Sequence, residues 1–232
     1  VPLSATLAEF SGVDRDRVVA HLAQLDEGYR DRVPTDAIAA HLRLLASSDT
    51  SAVRAEVVEI RRGVATVAVV APDRVGLLAE LTGRATVSGL DVVAANLFTR
   101  RDGVAVDIFN FAASRGDLGA TAEAWIESLG TEADPSALAA GVAAQAHAYR
   151  HEAGEAEASV RARAIGPKRE VRVRAPDRRG LLFAVASALG ELDLSIETVR
   201  IDTRAGIAHQ VVVSTGEVPW LLIEESVRSA IA

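Results

Sequence analysis

Cysteine and methionine are both missing from this 232-residue chain. Without cysteine there is no disulfide, no thiolate metal site and no cysteine nucleophile, and a reducing, cytoplasmic setting is expected. Without methionine, even at position 1, Val1 reads as a processing or cloning boundary that leaves room for a domain upstream. Aromatic residues are only 4% of the chain and the net charge is −7. Base-stacking platforms and a general attraction to the nucleic-acid backbone are therefore not expected, and nucleic acid is excluded as a partner. No apolar run approaches ~18 residues, so neither a membrane span nor a secretory segment is expected. What is present is 49% apolar sequence, ample for buried cores in one or two domains.

The chain repeats itself. Residues 71–80 read APDRVGLLAE and residues 175–184 read APDRRGLLFA. The match extends backward, where 66–73 (TVAVVAPD) aligns with 170–177 (EVRVRAPD). In the second copy Val171, Val173 and Ala175 share one parity while Glu170, Arg172 and Arg174 share the other, which predicts a strand with one wet face. After the motif, Leu77, Leu78, Leu81 and Ala85 recur at helical spacing, as do Leu181, Leu182, Val185 and Leu189. Residues 90–100 and 194–204 then read as second strands. The turns Arg101-Asp102-Gly103 and Ala205-Gly206 lead into third strands at 104–112 and 207–215, so each copy holds a hairpin. Helical sequence follows both. In copy one Asp134 precedes Pro135, a capping carboxylate before a proline at the first helical position, and opens an alanine-rich helix to about residue 153. In copy two residues 218–231 form a shorter helix.

Strand, helix, strand, strand, helix is most of a βαββαβ unit, and copy two runs out before any final strand. A further β-like run precedes each copy, at 55–60 and 159–165. Either each run fills the fourth-strand place of its own copy, or residues 159–165 close copy one while 55–60 close copy two. Ahead of the repeats, Val18, Val19, Leu22 and Leu25, then Ile38, Leu42 and Leu45 after a break at Pro34, predict helices, with Thr35 capping the second. The expected fold class is α+β: a helical N-terminal segment (1–50), a first ferredoxin-like unit with its connecting helix (51–157) and a second unit (158–232), with antiparallel sheets.

The motif Asp-Arg-x-Gly-Leu-Leu between first strand and first helix, present twice, resembles the ACT domain, a small regulatory module. The pair resembles the two ACT domains that end bacterial PII uridylyltransferase/uridylyl-removing enzymes. There the preceding segment is similar to residues 29–45 (YRDRVPTDAIAAHLRLL), and an alanine-rich helix also separates the modules. A proline normally precedes the glycine; Val75 and Arg179 stand there instead, which leaves the loops less stiff. The resemblance implies amino-acid binding at the loops, with glutamine as the favoured ligand, in the control of nitrogen or amino-acid metabolism. It carries the ligand-binding role onto Asp73, Arg74, Gly76 and Leu77 in copy one and onto Asp177, Arg178, Gly180 and Leu181 in copy two.

The loop chemistry agrees with that role. Glycine at a strand-to-helix corner permits torsions or close approach that a Cβ forbids. The first amides of the following helix attract a carboxylate, and Asp73 or Asp177 accepts from an ammonium group. The same residues also make an ordinary turn and cap, so a dimerisation-only module is the alternative. Asp107 shares parity with Ala105, Phe109 and Phe111, where an unpaired carboxylate costs several kcal/mol, and Gln210 holds the equivalent place. An edge or a bulge at this point makes both unremarkable. Asn96 and Arg200 occupy equivalent second-strand positions, lining an interface or lying on a solvated face.

Catalysis is not expected. Nucleotidyl transfer of the kind the resemblance brings to mind uses a Gly-Ser loop with paired aspartates, and the chain has no Gly-Ser dipeptide; Asp14 and Asp16 sit in a charged helical stretch. No histidine is followed by aspartate, and neither a nucleophile elbow nor a phosphate-binding loop occurs. His147 and His151 lie four apart with no third clustered ligand, as on an exposed helix face, so no metal and no cofactor is expected. The reading is a non-catalytic amino-acid sensor. Its alternative is the regulatory end of a nucleotidyltransferase whose catalytic domains lie upstream. The expected partners are a free amino acid and a second ACT-like unit, paired within the chain or in a homodimer with the loops at the interface.

Overall fold

The structure is a computed structural model, and it describes residues 3–46, 52–113, 116–148 and 157–232. Alternating apolar parity produces the strands β1 (Arg54–Arg61), β2 (Val64–Pro72), β3 (Leu90–Asn96) and β4 (Val104–Ala113) of a first unit. The second unit repeats them as β5 (Ser159–Ile165), β6 (Lys168–Pro176), β7 (Ser195–Arg204) and β8 (Ile207–Thr215). All eight lie in one sheet of order β1-β2-β4-β3-β7-β8-β6-β5, antiparallel throughout. The units meet at their second strands, where Ala95 pairs with Val199.

Each unit runs strand, strand, helix, strand, strand, helix, rather than the expected βαββαβ. The slot beside the first motif strand is taken by the leading strand of the same unit: β1 pairs with β2 and β5 with β6. Tight turns decide this. Arg62 and Gly63, at φ 52° and 76°, reverse the chain between β1 and β2, and Gly166 at φ 58° opens the equivalent turn. A strand returned by so short a turn has no reach to the other unit.

The helices α5 (Leu77–Ser88), α6 (Leu118–Ser128), α8 (Leu181–Glu191) and α9 (Trp220–Ile231) cover one face of the sheet. One continuous core joins both units there, from Val67, Phe109, Phe111 and Trp125 to Val171, Val212 and Ile223. Sequence periodicity did not single out α6, although Leu118, Ala122, Trp125 and Leu129 follow helical spacing and Asp117 caps it by accepting from Ala120 N at 2.8 Å. The connecting helix α7 (Pro135–Ala148) is capped as expected, with Asp134 Oδ1 accepting from Ser136 N at 2.9 Å. Its continuation to residue 153, and His151, lie outside the described residues.

The other face of the first unit carries α1 (Leu3–Ser11), α2 (Arg15–Ala23), α3 (Glu27–Arg32) and α4 (Thr35–Ala46). They enclose a second core of Leu7, Val18, Tyr29 and Ile38 against Ala68, Val70, Phe98, Val106 and Ile108. Asp14 is the N-cap of α2, its carboxylate accepting from Asp16 N at 2.8 Å. Thr35 is the first residue of α4 rather than its cap, because the Pro34 carbonyl accepts from Ile38 N at 3.0 Å and already closes the first turn. No described helix is long and apolar enough to cross a membrane.

Candidate functional site

Each motif loop leaves its strand at an aspartate and enters its helix at a glycine with positive φ, 83° at Gly76 and 76° at Gly180. The left-handed corner turns the chain from the sheet onto the helix layer, and glycine adopts it without a Cβ penalty. Asp73 N donates to Gly103 O at 2.9 Å and Asp177 N to Gly206 O at 2.8 Å, which pins each loop to the hairpin turn of its own unit. The amides of Leu77 and Leu181, expected to be available to a carboxylate, already donate to Arg74 O at 3.2 Å and Arg178 O at 3.3 Å. A carboxylate at either helix start therefore meets the later first-turn amides.

Both loops lie where the units meet. The second loop, with Asp177, Arg178, Gly180 and Leu181, borders a cavity of about 340 Å³ whose far wall is Asp91, Val92 and Val93 of the first unit, with Thr82 and Thr86 of α5. Such a volume lies within the ~300–1,000 Å³ common for small-molecule clefts. Arg179 is buried and reaches across the junction. Its Nη1 donates to Gln145 Oε1 of α7 at 3.0 Å, and its Nε stands 3.5 Å from Asp91 Oδ1. Gln210 also lines this cavity; it is 3% exposed, and its Oε1 has no hydrogen-bond partner. A buried acceptor left unsatisfied costs about 1–3 kcal/mol, which a donor placed in the cavity would recover.

The first loop, with Asp73, Arg74, Gly76 and Leu77, borders the related position against Ser195 and Ile196 of β7, but only about 30 Å³ is open there. Asp73 Oδ2 is occupied, accepting from Thr99 Oγ1 at 2.8 Å, and Arg74 is ion-paired with Glu80. Asp107 lines the same small space. It is buried, accepts from Phe98 N at 3.3 Å through Oδ1, and burial pushes its pKa up to about 8. Asp107 and Gln210 are thus both interior, with neither at an edge nor at a bulge of its strand. Asn96 and Arg200 are not brought to the loops. They line a shallow depression on the opposite face of the sheet.

A buried hydrogen-bonded chain escaped sequence reasoning. Arg100 Nη1 donates to His21 Nδ1 at 3.0 Å, His21 Nε2 meets Tyr29 Oη at 3.1 Å, Tyr29 Oη meets His41 Nδ1 at 2.8 Å, and His41 Nε2 reaches Asp107 O at 2.9 Å. Because arginine only donates, His21 Nδ1 must accept, which orients every later proton toward Asp107 and keeps both imidazoles neutral. Burial lowers His21 to about 3, aided by His41 and Arg100, and lowers His41 to about 4. Nothing in the spacing of His21, Tyr29 and His41 announced this, since the three meet only once α2, α3 and α4 pack. Among the described residues no group of acidic and histidine side chains could hold a metal.

No family model matches the chain, and no curated protein matches it. Among solved structures, "Crystal Structure of Aspartate Kinase from Synechocystis" is 14% identical over 74% of this chain and 26% of its own, with a TM-score of 0.40. The chain therefore spans about a quarter of that protein. "Crystal structure of putative glycine cleavage system transcriptional repressor" is 14% identical over 72% of this chain and 88% of its own, with a TM-score of 0.25. "Crystal Structure of an Unknown Protein from Galdieria sulphuraria" is 17% identical over 77% of this chain and 89% of its own, with a TM-score of 0.25.

Proposed function

We propose that the chain is a non-catalytic, ACT-like regulatory protein or segment that responds to a free amino acid held at the second loop, with Asp177, Arg178, Gly180 and Leu181 on one wall. The observation that carries this reading is the cavity between that loop and the first unit, with the unsatisfied Gln210 Oε1 inside it. A zwitterion suits its lining: Asp177 accepts from an ammonium group, while Arg179 and the start of α8 attract a carboxylate. Gln210 Oε1 adds an acceptor for a donor on the ligand side chain, such as the amide of glutamine, the ligand that the resemblance favours. Because the cavity has walls from both units, occupancy biases how they sit together, and couplings of this kind are typically about 1–3 kcal/mol. The first loop, with little open volume beside it, serves as a fixed counterpart. Control of nitrogen or amino-acid metabolism is the setting this role fits.

Thermal unfolding in the presence of each of the twenty amino acids tests the reading. One of them should stabilise the protein by about 2.7 kcal/mol at a hundred times its dissociation constant. Gln210→Leu should weaken that response while Asn96→Ala leaves it intact. Unchanged melting with all twenty at millimolar concentration would instead favour a module that only pairs its units.

A further inference from the structure

We propose that the outer sheet face of the second unit, the face turned away from α8 and α9, docks a protein segment carrying clustered carboxylates. Three observations converge. In the first unit the equivalent face is already an interface, since Ala68, Val70, Phe98, Val106 and Ile108 are buried there under the N-terminal helices. In the second unit the positions matching Ala68 and Val70 are Arg172 and Arg174, and both are exposed. Register then assembles a basic row: Arg161 pairs with Arg172, Arg172 with Val211, and Val211 with Arg200. With strands ~4.8 Å apart, that row spans about 15 Å, and Arg174 stands two residues along β6 on the same face. Among the described residues the side chains of Arg161, Arg174 and Arg200 make no ion pair or hydrogen bond, whereas Arg172 is held by Glu170 at 2.7 Å and Arg204 by Asp202 at 2.6 Å. A depression of about 610 Å³ runs over these side chains with Val211 in its floor.

Charge decides the occupant. Three unpaired guanidiniums on a chain of net charge −7 form a local site whose sign opposes that of the whole protein, so the complement is discrete carboxylates rather than a dense polyanion. A nucleic-acid strand suits the face less well, because its lining offers no tryptophan, tyrosine or phenylalanine for base stacking. Arginine around a small apolar floor is the common composition of protein interfaces.

Fluorescence anisotropy with a labelled oligoglutamate peptide, compared with a single-stranded oligouridylate of equal charge, tests the assignment on the full chain. The peptide should bind in low salt, bind more tightly than the oligouridylate, and be released as salt rises. The triple variant Arg161→Glu, Arg174→Glu, Arg200→Glu should weaken it by about tenfold or more. A control with the same charge change elsewhere, Arg17→Glu, Arg61→Glu, Arg101→Glu, should retain most of the binding. Circular dichroism melting of both variants establishes that each is folded. No peptide binding in low salt, equal losses in both triple variants, or tighter binding of the oligouridylate would each overturn the proposal.

Discussion

The two units share a motif, a strand order and a helix layer, yet their outer faces have opposite characters. In the first, Ala68 and Val70 lie under α4 and its neighbours; in the second, Arg172 and Arg174 stand in the same places and face water. The loops differ as well. The first is closed down to about 30 Å³, while the second borders about 340 Å³ and is braced by α7 through Val142 and Gln145. A duplicated backbone therefore leaves its two copies free to specialise. The parity facing the shared core must stay apolar in both, whereas the outward parity and the loop walls answer to whatever lies next to them.

The sharpest way to break this comparison is to write one unit's outer face into the other. Val70→Arg would place a charge in the second core, where Val70 is 1% exposed, and should cost about 3–5 kcal/mol in urea unfolding. A loss below about 1 kcal/mol would mean that the N-terminal helices are not tightly seated on the sheet.

The loops come next. A Cβ at Gly180 would stand 2.4 Å from Val142 Cγ1 in addition to occupying a left-handed corner, so Gly180→Ala should cost about 2–4 kcal/mol. At Gly76 a Cβ meets nothing within 4 Å, so Gly76→Ala should cost only the backbone strain, about 1–2 kcal/mol. Equal losses in the two variants would show that α7 does not brace the second loop.

Asp107 and Gln210 hold equivalent places, but only the first titrates, and the pH dependence of stability follows. Asp107 has a folded pKa of about 8 against an ordinary 3.8, so between these values the folded state binds the extra proton and stability falls as pH rises. His21 and His41, lowered to about 3 and about 4 from 6.5, do the reverse: stability rises with pH through 6.5 and levels off about one pH unit above it. Above pH 6.5 the Asp107 contribution falls by about 1.4 kcal/mol per pH unit at first and by about half that at pH 8, opposed by the last, smaller part of the histidine rise. Asp107→Asn should remove that decline in denaturant titrations at pH 6.5 and 8 and leave only the slight histidine rise, and the same difference as in the unmodified protein would place its origin elsewhere. The smallest effect belongs to Arg174→Val, the reverse exchange on the exposed face, which should change stability by no more than about 0.5 kcal/mol in the same assay.

Much of this arrangement was legible before any coordinates. The alternation of Val171, Val173 and Ala175 with Arg172 and Arg174 set both the strand and its wet face, and the Asp134-Pro135 pair marked the start of α7. The matching hairpins at 101–103 and 205–206 appeared where the turn residues placed them. Two local signals mark α6, the Asp117 cap and the spacing of Ala122, Trp125 and Leu129. The N-terminal cap assigned to Thr35 fell one residue late because proline supplies the carbonyl that closes the turn.

Sequence alone determined what depends on neighbours along the chain: strand parity, helix faces, turns, and a motif that puts an aspartate and a glycine at each strand-to-helix corner. Tertiary structure decided what depends on neighbours in space. The joining of β3 to β7 puts the second loop against Asp91 and Val92, about ninety residues away in sequence, and so creates a cavity that neither unit holds alone. Packing of α2, α3 and α4 on one outer face brings His21, Tyr29 and His41 into line with Asp107. It leaves the other outer face, with its arginines, open. Periodicity reports which side of an element is apolar, but not which element will cover it, because burial is shared between surfaces that sequence order does not bring together.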